Sequence, residues 1–161
     1  MAVDTKSVTD RRSLTLNSLQ DLRREVERIA ASERSGKLRR SGNWSAGQSF
    51  HHLATWMGYS YTGPPGPKPP WLLRLMGPVI KRRFLTKGVP AGFRMRNVEG
   101  GTYGSEPRSL DEGTREILAA IERLGRERLP DRHALFGRMT PDEWIRLHLK
   151  HAELHLSFLH P

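Results

Sequence analysis

Residues 140–158 constrain the fold of this chain more than any other stretch. Thr140-Pro141-Asp142-Glu143 reads as a helix start. A threonine hydroxyl caps the first free backbone N–H groups, a proline suits the first helical position, and a glutamate three residues past the cap reaches back to it. From Trp144 to Phe158 the pattern is that of a helix with two unlike faces, at about 100° per residue. Asp142, Arg146, Lys150, Glu153 and Ser157 share one polar stripe. His148, His151 and His155 fall within about 60° of one another, nearly opposite that stripe. Leu147, Leu154, Leu156, Phe158 and Leu159 flank them. Three imidazoles therefore point where a core belongs.

Imidazoles on an apolar face need partners, because an unpaired polar group costs free energy there. Two arrangements meet that need: a bound metal ion, or hydrogen bonds to backbone and neighbouring side chains. The i, i+4 spacing of His151 and His155 brings two rings to one ion. The same spacing also occurs in core histidines that hold no metal, so both arrangements stay open on these residues alone.

The chain has 161 residues, enough for one domain with a substantial core. No run of about 18 apolar residues offers a transmembrane helix. Arg11-Arg12 is followed by an amphipathic, charged segment rather than an apolar one, so we expect no targeting segment. There are no cysteines, which excludes disulfides, thiolate metal sites and a cysteine nucleophile, and suits a cytoplasmic protein. A metal would have to be held by histidine, carboxylate or water. The net charge of +10 is spread over Arg23-Arg24, Arg39-Arg40, Lys81-Arg82-Arg83, Arg94, Arg96, Arg123, Arg126 and Arg128 among others. An anionic partner is one explanation: nucleic acid, a membrane surface or an acidic small molecule. Dispersion, and the lack of a nucleic-acid-binding motif, favour a solvated basic surface.

The remaining chain reads as helices and loops. Residues 1–13 are polar and expected to be loosely ordered. Ser18 precedes a helical pattern through about Ala31, with Leu19, Leu22, Val26, Ile29 and Ala30 as its apolar stripe; Ser32 to Asn43 reads as a loop. A second helix starts at Ser45, with Gln48 as the capping-box partner, and runs to about Tyr61. Its apolar face is Ala46, Phe50, Leu53, Ala54, Met57 and Tyr61. Periodicity places His51 on a flank of that face and His52 farther round, in a mixed strip with Gln48, Thr55, Trp56 and Tyr59 that suits a cleft. Gly63 to Pro70 is too rich in proline for helix and reads as an extended connector. Trp71 to Met76 and Val79 to Arg83 form an apolar-then-basic piece broken at Gly77-Pro78. Its composition suits a membrane surface, a lid over its own bundle, or a homodimer contact through Trp71, Leu72 and Leu73. Residues 86–107, with five glycines and two prolines, read as an irregular loop. Ser109 and Glu112 open a third long helix with Leu110, Ile117, Leu118, Ile121 and Leu124 as its stripe. It ends across Gly125 to Pro130, and a connector to Met139 leads into the histidine helix. Four amphipathic helices without a convincing strand predict an all-α, four-helix bundle over 1–161, with a long Pro/Gly-rich excursion over 63–107 between helices two and three. The first two helices are expected to pair through their loop, and no internal repeat is visible.

Trp44-Ser-Ala-Gly-Gln48, His52-Leu53 and His151-Ala-Glu-Leu-His155-Leu together resemble the DinB-like (YfiT-like) metal-binding four-helix bundles. In that family a Trp-Ser pair opens the second helix, His-Leu follows within two turns, and His-x-x-x-His lies on the fourth helix. The likeness is closest to an uncharacterised bacterial branch. It is carried by Arg12-Ser-Leu-Thr-Leu, Asn43-Trp44-Ser45, Pro70-Trp71, Phe136-Gly137, Thr140 to Trp144, Lys150-His151 and His155-Leu156 with Phe158. The resemblance spans nearly the whole chain. It implies a divalent ion (nickel, zinc or iron) held by His52, His151 and His155, with His51 as the adjacent competitor of His52. It leaves His148 as a residue that supports a ligand, a fourth ligand or a proton carrier, and gives His133 no role.

The family includes enzymes using low-molecular-weight thiols and members regarded as hydrolases. The resemblance thus implies a metal-dependent thiol transferase or hydrolase acting on a small molecule. Basic residues in 81–96 suit an anionic substrate, and Glu153, on the polar stripe, is not expected to act as a base. Two other readings stand beside this one: a non-catalytic bundle binding a ligand or partner, and a basic binder of nucleic acid or membrane through Trp71 to Arg83.

Overall fold

A computed structural model describes residues 3–66, 69–95 and 98–161. Pro67 and Lys68 of the expected extended connector, and Arg96 of the basic segment, lie outside the described residues. The protein is an all-α bundle. Its four long helices are α1 (Leu19–Arg34), α2 (Ala46–Thr62), α5 (Leu110–Arg126) and α6 (Pro141–Leu156), with two short ones, α3 (Trp71–Leu75) and α4 (Gly77–Lys87), inside the excursion.

Helix starts follow their side-chain chemistry. Ser109 with Glu112 and Thr140 with Glu143 both form complete capping boxes. Ser18 caps α1 through the N–H of Asp21. Ser45 caps α2 through the N–H of Gln48, but the Gln48 amide does not reach back; it donates to the Ser105 carbonyl at 2.6 Å. That box is half formed because its second member ties a distant loop to the helix.

The core is built from Leu22, Val26 and Ile29 of α1, Phe50, Leu53 and Met57 of α2, Ile117, Ile121 and Leu124 of α5, and Leu149, Ala152 and Leu156 of α6. The closest partner of α2 is α5, not α1. Two glycines permit this. A Cβ on Gly113 would stand 2.3 Å from the Gly47 carbonyl oxygen, and one on Gly47 would stand 2.5 Å from the Arg108 and Ser109 oxygens.

Several expectations change. α1 continues to Arg34. Pro78 lies in the first turn of α4 and starts a helix rather than breaking one, since its missing N–H has no intrahelical partner to lose there. Two small ladders also form: Arg39–Arg40 pairs antiparallel with Leu159–His160, and Arg132–His133 with Gly137–Arg138. These two-residue pairings leave no periodic trace. The C-terminal part of the α6 polar stripe does not face water, although Asp142 at its start does. Ser157 is buried, and Glu153 bonds Lys150 at 2.5 Å and accepts the Leu16 N–H at 2.9 Å. The N-terminal segment lies along that stripe. Arg12 N–H donates to the Ser157 carbonyl, Arg11 Nε to the Ser157 hydroxyl, and the Arg12 guanidinium pairs with buried Glu25. Residues 11–16 are therefore held against the bundle by polar contacts, which a reading for loose ordering from polarity misses. Finally, α4 packs on α6, while α3 buries none of its residues and so does not fold over the bundle as a lid.

Candidate metal centre

α2 and α6 bring His52, His151 and His155 together, one ring nitrogen of each lying within 4.8 Å of the others. The Nε2 atoms of His52 and His151 are 3.1 Å apart, as are those of His155 and His151. His52 is 1% exposed; His151 and His155 keep some accessible surface. The cluster is thus anchored in the core on the α2 side and more open on the α6 side.

The orientation of His52 is set from outside its helix. Its Nδ1–H donates to the Tyr103 carbonyl at 2.8 Å, which leaves the Nε2 lone pair facing the other two rings. Tyr103 belongs to the loop that Gln48 also holds, and its hydroxyl donates to the Pro65 carbonyl at 2.8 Å. Gly104 follows with φ +68°, where a Cβ would stand 2.8 Å from Thr55 Oγ1 and 3.2 Å from His52 Cα. Only a residue without a side chain lets the loop approach this closely.

Two indoles flank the rings. Trp44 stacks on His155 with centroids 5.1 Å apart at 7°, and meets His52 edge-on at 4.9 Å. Trp56 meets His151 edge-on at 6.0 Å and lies against Tyr59 and Tyr103. The strip of α2 expected to line a cleft is therefore the strip that the 98–107 loop covers.

Burial keeps the three imidazoles neutral. It pushes His52 down to about 4, with His51 adding to the shift and the Tyr103 carbonyl opposing it. His151 and His155 are held well below the usual histidine range, by burial first and then by their histidine neighbours.

The other histidines are placed elsewhere. His51, which periodicity favoured as the inward ring, turns away: its Nδ1–H donates to Glu116 of α5 at 2.5 Å, and Nε2 lies 3.3 Å from Arg108. His52 is inward because a loop buries it, which a wheel of α2 alone cannot register. His148 stands apart from the three. It is 5% exposed, shares a 2.6 Å hydrogen bond between Nε2 and Ser60 Oγ, and is pushed down to about 4 by burial. His133 accepts the Leu135 and Phe136 N–H groups at Nδ1 and stacks on Phe136, so it shapes its turn. Tyr103 has no signal in the sequence beyond its membership of a glycine-rich irregular loop.

A mainly helical bundle with three converging, neutral histidines at the junction of two helices and a covering loop defines the class. The family described as a protein of unknown function, DUF1569, matches residues 8–161, and the chain belongs to it. Comparison with curated proteins returns no match, and neither does comparison with solved structures.

Proposed function

We propose that this is a divalent-metal protein of the DinB-like kind whose ligands are His52, His151 and His155. The observation that carries the reading is the approach of His52 Nε2 and His155 Nε2 to His151 Nε2, each at 3.1 Å, with one ring nitrogen of all three residues within 4.8 Å of the others. Nitrogens about 2.0–2.1 Å from one ion are separated by roughly 2.8–3.0 Å at octahedral right angles and roughly 3.3–3.4 Å at tetrahedral angles, and the two 3.1 Å separations lie between these values. Protons serve the cluster less well. With the His52 Nδ1 proton committed to Tyr103, one proton on His151 Nε2 is at best divided between two acceptors. A cation meets all three lone pairs.

The donor set fits nickel, zinc or iron(II), all compatible with imidazole. When bound, such an ion supplies Lewis acidity toward a ligand at an open coordination position. The chain's residues do the rest. Tyr103 fixes the His52 tautomer, Trp44 holds the plane of His155, and Trp56 and Tyr59 give the neighbourhood an aromatic wall. A metal-dependent transferase or hydrolase acting on a small molecule, with a low-molecular-weight thiol as co-substrate in the transferase case, fits this arrangement and the order of motifs along the chain. The basic residues of 81–95 suit an anionic substrate.

Elemental analysis of untagged protein beside His52→Ala, His151→Ala and His155→Ala tests the reading. About one equivalent of a transition metal in the parent, lost in each variant, is expected. A folded parent that contains no metal and takes up neither nickel nor zinc overturns it and favours a bundle that binds a ligand or partner instead.

A further inference from the structure

The excursion carries an apolar surface that the bundle does not use. Trp71 is 75% exposed, Leu75 70% and Val79 65%, and Leu72, Leu73 and Met76 are exposed beside them. The inner side of the same arm is fixed. Ile80 and Phe84 pack toward the core, with Phe84 against Phe136, and Gly77 lies so close to the Leu135 carbonyl that a Cβ would stand 2.2 Å from it. Lys81 pairs with Glu143 at 2.8 Å. The outer side is thus held outward by a seated inner side. Met76 ends α3 and opens α4 in near-helical geometry, so the i, i+3 and i+4 steps from Leu72 through Leu75, Met76 and Val79 to Arg82, Arg83 and Lys87 follow one side of the arm. That side begins apolar and ends basic.

Its electrostatics are one-signed. No aspartate or glutamate occurs between Glu33 and Glu99. Arg74, Arg82, Arg83 and Lys87 are exposed and make no ion pair among the described residues. Charge that looks dispersed along the whole chain is therefore concentrated beside the exposed apolar side chains. We infer that the α3–α4 arm docks on an anionic lipid bilayer, with Trp71, Leu72, Leu75 and Val79 entering the interface and Arg82, Arg83 and Lys87 meeting lipid phosphates. A second copy of the chain fits less well, since it would bring two acid-free basic arms together. Nucleic acid would use the cations but leaves six exposed apolar side chains with no role. The inference is independent of the histidine cluster.

The test is co-sedimentation of the full chain with vesicles of phosphatidylcholine alone and of phosphatidylcholine mixed with phosphatidylglycerol. The parent is expected to bind only the mixed vesicles, more weakly as salt rises. R82E/R83E and, separately, L72S/L75S/V79S should each lower that binding at least about tenfold, while K37E/R115E, at the opposite end of α5 where Arg34 meets Asp111, should not. Unchanged thermal unfolding of the variants checks that the bundle is intact. No binding to mixed vesicles overturns the inference. So does a parent dimer in sedimentation equilibrium that L72S/L75S/V79S dissociates without any lipid binding, or duplex DNA binding that R82E/R83E alone abolishes while vesicles are ignored.

Discussion

The Tyr103 carbonyl accepts the Nδ1 proton of His52 at 2.8 Å, across 51 residues of sequence. The contact commits the imidazole to one tautomer and turns Nε2 toward α6, so the loop determines what the helix can offer an ion. Gly104→Ala should therefore act on the site without touching a ligand. The positive φ and the collision with Thr55 are expected to cost about 1–3 kcal/mol in stability and to weaken nickel or zinc affinity roughly 10- to 100-fold. Chelator competition beside denaturant unfolding measures both. Unchanged affinity would mean that His52 does not need Tyr103.

His51 and His52 should separate cleanly. His52→Ala removes an inward nitrogen and is expected to abolish metal uptake. His51→Ala removes contacts with Glu116, Arg108 and Glu106, none of them a proposed ligand, and is expected to retain metal at a stability cost of about 1 kcal/mol or less. The two variants reversing roles would reassign the site.

Stability should fall on the acid side of neutrality. His133 and His148 are each pushed to about 4 in the folded chain by burial, from an ordinary value of 6.5. Between those values the unfolded chain binds protons that the folded chain does not, so stability rises with pH across this window and is level below about 4 for these two groups. Each contributes up to about 3 kcal/mol at pH 7 relative to pH 4, and His52 acts in the same direction. Denaturant titrations of metal-free protein at several pH values across this window measure the slope. A flat profile would show that these rings are not buried as neutral groups.

The α2–α5 crossing has no room for a methyl group. Gly113→Ala places a Cβ against the Gly47 carbonyl, which is backbone and cannot rotate away. A loss of at least about 2 kcal/mol is expected, read from thermal unfolding, although alanine is the better helix former. Gly58→Ala, which meets nothing within 4 Å, should be neutral or stabilising in the same assay.

Much of the architecture was legible because it is local. Ser109 with Glu112 and Thr140 with Glu143 announce their helices through three-residue chemistry, and the i, i+4 spacing of His151 and His155 already places two imidazoles side by side. What escaped was set by distant segments. His52 lies on the less apolar side of α2 in isolation and is buried by a loop with no periodicity. Glu153 and Ser157 read as solvent-facing until the strand of chain around Arg11 to Leu16 covers them. Gly47 and Gly113 look like weak points in helices, and only the approach of one backbone to another explains them.

His52 and His151 stand 99 residues apart in the chain and share a 3.1 Å contact. An ion gripping both would act as a cross-link, deleting from the unfolded ensemble every conformation in which those residues are separated. For a disulfide closing a loop of that length the chain-entropy estimate is about 4.7 kcal/mol. A chain with no cysteines would in this way have a reversible staple between its second and last helices, opened by a chelator rather than by a reductant.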